Sequence, residues 1–228
     1  MKDGYIRNSD RKRWDKHKSL FIPEELRLGP TYSYLFLHRP KQLFFTYARY
    51  KFASRLIGES PKIRILELGC NEGIGSLLFA ENGHIVTAVD FDEEAIAWAN
   101  SNLTKRKNII YKYDDFIGKV YGKYDAVVLL DVIEHIGRRQ EGKLFKTIVD
   151  NLHTDGYCII GTPNVTASKY SSDESKAGHV NLFSAERLRD TMRKYFKNVF
   201  LFGMNDEIVH TGFYNMCHYI IALGCGKK

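Results

Sequence analysis

Four side chains of types that bind metals or move protons are concentrated in two short stretches of the chain. Asp131, Glu134 and His135 lie in the string DVIEH, and His179 follows in GHVNLF. If the first string is helical, positions 131, 134 and 135 face one side. Two carboxylates and two imidazoles make a donor set suited to Mg²⁺, Mn²⁺ or Fe²⁺ with open positions. A substrate hydroxyl could be activated there, with Asp131, His135 and His179 as candidate catalytic groups.

The same histidines allow two interpretations that need no metal. His135 or His179 can act as a general base that removes the proton of an acceptor. Either ring can also be structural, packing and hydrogen-bonding within the fold. The sequence leaves these three roles open.

A glycine-containing loop, ELGCNEGIG at residues 67–75, is typical of a nucleotide-type cofactor site. Its glycines let the backbone come close to a ligand. Asn71 and Ile74 interrupt the G-x-G-x-x-G string that nicotinamide-binding domains carry. Glu67 would repel a pyrophosphate but suits the ammonium of a methionine moiety, although a salt bridge with a Lys or Arg is the alternative. The loop therefore favours S-adenosylmethionine over a nicotinamide.

Four further acidic residues accompany this loop, at the ends of three predicted strands. Asp90 can accept both hydroxyls of a ribose, and Asp114 or Asp115 can accept an adenine amino group. A simple turn is the alternative for that pair. Asp131 ends the fourth strand. Ligands of open α/β sheets bind at the carboxyl ends of strands, so these groups predict one cofactor site.

The elements that must position these residues alternate between strands and helices. Predicted strands cover 63–67, 84–90, 108–113, 124–131, 156–161, 199–203 and 216–223, and predicted helices cover 41–57, 73–82, 92–102, 140–152 and 184–194. This order predicts an α/β fold with a doubly wound, mostly parallel seven-stranded sheet and an antiparallel C-terminal hairpin. Residues 165–180 are expected to be loop-like. The stretch 204–215 is expected to be too long for a tight hairpin turn.

Charge divides the chain into two predicted parts. Residues 1–64 contain 15 Lys and Arg against 6 Asp and Glu, whereas residues 65–228 contain 19 against 21. We therefore predict a basic N-terminal arm and helical cap over 1–60 and a cofactor-binding catalytic domain over 61–228. The basic excess favours an anionic partner, or is simply solvated surface. The aromatic residues Tyr32, Tyr34 and Phe36 either pack the cap onto the sheet or cover the acceptor as a lid.

Composition narrows the setting of the chain. Its 228 residues are 44% hydrophobic and 27% charged, as in a globular domain. The start is polar and lacks the apolar stretch of a secretory signal, and the four cysteines form no CxxC pair. No apolar run approaches the roughly 20 residues of a membrane span. We expect a cytoplasmic protein with reduced thiols and no membrane partner.

The core, roughly 60–228, resembles the class I S-adenosylmethionine-dependent methyltransferases in four strings: ILELGCNEGIG, VTAVDFDEEAI, YDAVVLLDVIEHI and DGYCIIGTPN. The resemblance implies a Rossmann-like methyltransferase fold. It also implies a set of cofactor-binding positions: Glu67, Gly69, Cys70 and Gly73 at the methionine end, and Asp90, Phe91 and Asp115, with Asp114 as the alternative, at the adenosine.

The acid-x-x-Glu-His string resembles two branches of this superfamily, the ubiquinone-biosynthesis O-methyltransferases and the small-RNA 2′-O-methyltransferases. The resemblance implies a divalent metal that binds vicinal oxygens of the acceptor, with Asp131 replacing the usual first glutamate.

The predicted function is therefore O-methylation of a small, polar hydroxyl acceptor, neutral or anionic, such as a sugar, a nucleotide-sugar or a surface-glycan precursor. The alternatives are an RNA 2′-O-methyltransferase, an amino-sugar N-methyltransferase and a non-catalytic cofactor-binding protein. Because no RNA-binding module is recognisable, no nucleic-acid partner is expected.

Overall fold

The computed structural model describes residues 8–21, 25–60, 62–103 and 105–228. The first seven residues of the predicted basic arm therefore lie outside the described residues. The helices are α1 (Asn8–Lys18), α2 (Pro30–His38), α3 (Pro40–Ile57), α4 (Ser76–Glu81), α5 (Glu93–Asn102), α6 (Glu141–Asn151), α7 (Asp173–Gly178) and α8 (Ala185–Met192). The strands are β1 (Arg64–Leu68), β2 (Ile85–Asp90), β3 (Ile109–Tyr113), β4 (Tyr124–Leu130), β5 (Leu152–Pro163), β6 (Phe196–Asn205), β7 (Ile208–His210) and β8 (Tyr219–Lys227).

The strands form one sheet in the order β3-β2-β1-β4-β5-β8-β6-β7. Strands β1 to β5 pair in parallel, and β8, β6 and β7 join antiparallel to one another and to β5. The predicted fold class, an α/β sheet with an antiparallel C-terminal end, is confirmed. The chain order reverses between β1 and β4, and the loops that follow these two strands flank the crevice where such sheets bind ligands.

The sheet has eight strands rather than the predicted seven, because the stretch 204–215 contains a strand of its own. Asn205 of β6 pairs with Ile208 of β7 across a two-residue turn. Asp206 takes a positive φ of 52° in that turn, a conformation that aspartate tolerates better than most residues. The prediction that this stretch is too long for a tight turn between the last two predicted strands is confirmed, but its first residues form a tight hairpin with the additional strand β7, which the pattern did not reveal.

Residues 165–180 are also more regular than predicted. A 3₁₀ helix spans Val165–Tyr170 and α7 follows it. The side chain of Asn164 accepts a hydrogen bond from the backbone N of Thr166, and the Ser172 hydroxyl accepts one from the backbone N of Ser175. These caps start short helices that carry no apolar periodicity, which is why the sequence pattern did not reveal them.

Helices cover both faces of the sheet. On one face, buried side chains of α3 to α5 pack against β1, β2 and β4, as Tyr50, Phe79 and Ile96 show. On the other face, α6 and α8 bury Leu144 and Leu188. The cap helices α2 and α3 therefore share a core with the sheet, and α3 carries cap residues to the open end of β4. Within the described residues, no helix combines the length and the apolar character needed to cross a membrane.

Candidate active site

The glycine loop after β1 turns sharply at three residues with positive φ. These are Gly69 (83°), Asn71 (50°) and Gly73 (70°). A side chain at Gly69 would collide with Val132, so glycine is required there for space as well as for conformation. Gly73 lies against the ring of Tyr111, whose hydroxyl donates to the Gly73 carbonyl oxygen at 3.1 Å. The loop is thus fixed by neighbouring strands before any ligand binds.

Asp90 joins the glycine loop to the end of β2. Its carboxylate accepts hydrogen bonds from the backbone N of Asn71 at 2.6 Å and from the backbone N of Asp92 at 3.0 Å. Each carboxylate oxygen can accept a second hydrogen bond, which leaves capacity for ribose hydroxyls. Asp90 is 7% exposed and lines a cavity together with Phe91, which is 71% exposed.

Glu67, predicted at the methionine end, is buried beneath the loop rather than exposed to it. The Tyr50 hydroxyl donates to one carboxylate oxygen at 2.8 Å, and the Ser76 hydroxyl donates to the other at 2.5 Å. Both partners are neutral, so the alternative of a salt bridge with Lys or Arg is wrong. Burial raises the pKa of Glu67 to about 7. Cys70 is buried as well, and burial raises the pKa of its thiol well above the ordinary value.

The two predicted adenine-binding acids point in different directions. Asp115 lines the same cavity as Asp90 and Phe91. The carboxylate of Asp114 instead forms an ion pair with Lys119 at 2.6 Å and accepts a hydrogen bond from the Tyr121 hydroxyl at 3.0 Å. These contacts lower the pKa of Asp114. Of the pair, only Asp115 faces the space in which a ligand would lie.

Two adjoining cavities form one cleft along the carboxyl ends of β1, β2 and β4. The first, of about 330 Å³, is lined by Asp90, Phe91 and Asp115, the residues predicted at the adenosine. The second, of about 310 Å³, lies under the cap helices. Both are lined by the same four residues at their junction, Gly69, Asn71, Asp131 and His135. The second cavity is also lined by Thr31, Tyr32, Leu35, Gln42, Thr46, Arg49, Tyr50, Leu130, Glu134, Pro163, Ser175 and His179.

Asp131 sits at this junction in an unusual conformation. Its φ is 57°, and both carboxylate oxygens lie 2.8 Å from Nη1 of Arg49, which comes from cap helix α3. The Arg49 guanidinium also lies over the ring of Tyr219, 3.9 Å from its centroid. The predicted metal-binding and catalytic acid therefore forms an ion pair with a residue that the sequence pattern did not single out.

The other three predicted metal-binding residues lie together. Donor atoms of Glu134, His135 and His179 all lie within 4.8 Å of one another. The rings of His135 and His179 meet edge to face with their centroids 5.0 Å apart. Burial and the neighbouring Asp131 raise the pKa of Glu134 to about 8. Burial and the neighbouring His135 lower the pKa of His179, which favours its neutral ring.

Backbone contacts bring the distant His179 to this cluster. The carbonyl oxygen of Glu134 accepts hydrogen bonds from the backbone N of Val180 at 2.9 Å and of Asn181 at 3.0 Å. Nδ1 of His135 lies 2.9 Å from the Gly178 carbonyl oxygen. A carbonyl can only accept, so this contact puts the proton on Nδ1 and leaves the Nε2 lone pair of His135 free.

Glu72 is a second structural residue that sequence reasoning missed. It is 1% exposed, and its carboxylate accepts hydrogen bonds from the backbone N of Thr31 at 2.6 Å and of Tyr32 at 3.3 Å. A negative charge at the N-terminus of α2 is favourable. Tyr32 is buried beneath this contact, whereas Tyr34 and Phe36 are exposed, so only the first aromatic residue of the predicted cluster packs the cap. Glu72 thereby links the cap to the glycine loop.

Comparison with known proteins assigns the chain to a family. The family described as "Methyltransferase domain" matches residues 38–198. The ubiquinone biosynthesis O-methyltransferase of Rickettsia akari is 30% identical over 138 residues, which are 59% of this chain and 54% of that protein. The chain thus spans about half the length of the curated relatives it matches.

Two solved structures share the fold. The methyltransferase domain of bacterial CtHen1 superposes with a TM-score of 0.64 at 16% identity, covering 79% of this chain and 99% of that one. The plantazolicin methyltransferase BpumL in complex with SAH gives a TM-score of 0.61 at 14% identity, covering 97% and 92%. The family match spans well over half of the chain, and it agrees with the sheet order and the cleft. The chain belongs to the methyltransferase-domain family, with the class I fold of S-adenosylmethionine-dependent methyltransferases.

Proposed function

We propose that this chain transfers the methyl group of S-adenosylmethionine to a hydroxyl of a small polar acceptor that carries two neighbouring oxygens. The observation that carries the proposal is the Glu134, His135 and His179 cluster, which lies where the cofactor cavity meets the cavity under the cap. Methyl transfer is an in-line displacement at a sulfonium, so the acceptor oxygen must be aimed at this junction and must lose its proton. A cluster of acceptor-type side chains at the junction suits both tasks.

The same cluster fits a divalent cation. One carboxylate oxygen of Glu134 accepts a hydrogen bond from the Thr162 hydroxyl at 3.0 Å, whereas Oε1 is buried with no hydrogen-bond partner among the described residues. A buried, unpartnered carboxylate oxygen beside two imidazoles is a favourable position for a cation. Glu134, His135 and His179 would hold Mn²⁺, Fe²⁺ or Mg²⁺. When bound, such an ion lowers the pKa of a coordinated hydroxyl and supports its deprotonation at neutral pH.

The residues of the chain supply orientation and proton transfer. The Nδ1 contact with Gly178 fixes the ring of His135, and its free Nε2 points to a role as ligand or as proton acceptor. The cap helices cover the acceptor cavity with the polar side chains of Thr31, Gln42 and Thr46. These hydroxyl and amide groups can hydrogen-bond a polyol while the cap limits the access of water to the sulfonium.

The acceptor that fits best is a sugar, a nucleotide-sugar or a surface-glycan precursor with vicinal oxygens. A cavity of about 310 Å³ with many polar lining residues accommodates a molecule of that size. The basic excess of the N-terminal part favours an anionic form of the acceptor. The Rickettsia akari relative is named for ubiquinone biosynthesis, so an aromatic diol is the second candidate acceptor. The four cysteines are unpaired, which accords with the proposed cytoplasmic setting.

A variant series separates this function from its alternatives. Glu134→Gln and His179→Ala should lower kcat by at least about 100-fold, because each removes one donor of the cluster. Affinity for S-adenosylhomocysteine should change by less than about 3-fold, because neither residue lines the adenosine cavity. Glu81→Gln, at an exposed position in α4, serves as the structural control.

Four results would contradict the proposal. Undiminished turnover in both variants would exclude a catalytic cluster. Transfer of the methyl group only to amines would favour an N-methyltransferase. Cofactor binding without turnover on any diol, sugar or RNA would favour a non-catalytic protein. Tight RNA binding that weakens steeply with salt, with methylation of RNA, would replace the small acceptor with RNA.

A further inference from the structure

The ion pair between Arg49 and Asp131 links cap helix α3 to the segment after β4 that also carries Glu134 and His135. Both oxygens of Asp131 contact Nη1 of Arg49 at 2.8 Å. The Arg49 side chain is only 18% exposed and is also held against the face of Tyr219. Charge-assisted hydrogen bonds of this kind are about twice as strong as neutral ones. The carboxylate of Asp131 is thus already neutralised by a residue of the chain itself.

The cluster that can share one ion excludes Asp131. Among the described residues, the donors within 4.8 Å of one another are those of Glu134, His135 and His179. The Asp131 carboxylate is turned toward α3, where Arg49 binds both of its oxygens. The structure therefore differs from the four-donor set that the sequence string suggests.

We propose that Arg49 withholds Asp131 from the metal, so that the centre has three protein ligands and selects Mn²⁺ or Fe²⁺ over Mg²⁺. This inference rests on the proposed function, which supplies the metal. Two imidazoles and one carboxylate are the facial set that suits transition metals, whereas Mg²⁺ prefers oxygen ligands. A second carboxylate would shift the balance toward Mg²⁺. Arg49 is then a determinant of metal selectivity, although it is not itself a ligand.

The clearest test is a pair of variants with opposite expected outcomes. Arg49→Gln releases Asp131 to become a fourth ligand, so affinity for Mn²⁺ should rise by at least about 10-fold and affinity for Mg²⁺ by more. The double variant Arg49→Gln with Asp131→Asn carries the same net charge as the natural chain. If Asp131 is not a ligand, its Mn²⁺ affinity should stay within about 3-fold of the natural chain.

The measurement is titration of the purified full chain with MnCl₂, followed by the electron paramagnetic resonance signal of free Mn²⁺, and with MgCl₂ by calorimetry. Lys51→Gln is the matched control, because Lys51 is an exposed cation on the same helix and its loss should change affinity by less than about 3-fold. Arg49→Lys keeps the positive charge but binds the Asp131 carboxylate through fewer hydrogen bonds, so its Mn²⁺ affinity should lie between those of the natural chain and Arg49→Gln. A circular dichroism spectrum and a urea unfolding midpoint like those of the natural chain show that each variant is folded.

Three outcomes would overturn the inference. A double variant that binds Mn²⁺ at least about 10-fold more weakly would show that Asp131 is a ligand in the natural chain. An Arg49→Gln variant that behaves like Lys51→Gln would show that Arg49 withholds nothing. If the natural chain binds no Mn²⁺ and the turnover of Glu134→Gln and His179→Ala is undiminished, the metal has no place in the proposed function and this inference fails with it.

Discussion

Substituting Glu67 by glutamine should make the stability of the protein less dependent on pH. Burial raises the pKa of Glu67 from 4.5 to about 7, so the folded protein retains a proton that the unfolded chain has released. Stabilisation by Glu67 is present below about pH 4.5 and is lost as the pH rises through about 7. At about 1.4 kcal/mol per pH unit, this amounts to roughly 3 kcal/mol in total and about 2 kcal/mol between pH 5.5 and pH 8.5.

The glutamine variant does not ionise, and it retains both partners. The Tyr50 hydroxyl can donate to the amide oxygen, and the Ser76 hydroxyl can rotate to accept from the amide nitrogen. As the pH rises from 5.5 to 8.5, the free energy of unfolding of the variant, measured with urea, should therefore increase by about 2 kcal/mol relative to that of the natural chain. Glu81→Gln, at an exposed position, should show no such trend. A difference for Glu67→Gln that is constant across this pH range would refute the reasoning.

Two further predictions concern the cofactor cavity and the cap. Phe91→Ala should weaken S-adenosylhomocysteine binding by about 5- to 20-fold through lost stacking. Phe44→Ala, which is also exposed but lies outside the cofactor cavity, should not, and calorimetry that finds equal effects would exclude Phe91 from the adenine site. Glu72→Ala removes two charge-assisted hydrogen bonds at the start of α2 and should destabilise the cap by about 1–3 kcal/mol. Trypsin should therefore cleave the cap faster in this variant. Cleavage no faster than in Glu81→Ala would contradict a role for Glu72 in holding the cap.

Much of the fold could be predicted because its signals are local. Apolar runs such as that of β4 and caps such as Asp92 and Ser184 are visible in neighbouring residues. The eighth strand and the short helices after β5 were missed for the opposite reason. β7 is three residues long and is stabilised by pairing with β6, and α7 depends on the cap at Ser172 rather than on apolar spacing. Tertiary context decides such elements.

The candidate site could be predicted in its types of residue but not in its pairings. The string DVIEH and the distant His179 were expected to converge, and Glu134, His135 and His179 do lie together. No local pattern links Asp131 to Arg49, which is 82 residues earlier in the chain. Such contacts arise from how the cap helices fold over the sheet.

The most direct test of a metal-assisted O-methyltransferase is transfer of labelled methyl from S-adenosylmethionine to a panel of vicinal diols, single alcohols and amines, with Mn²⁺ and with chelator. We expect label in an ether of a vicinal diol, at a rate at least about 100-fold higher with Mn²⁺ than with chelator. Single alcohols and amines should remain unlabelled. Equal transfer with chelator, or label found only in amines, would contradict the mechanism built on Glu134, His135 and His179.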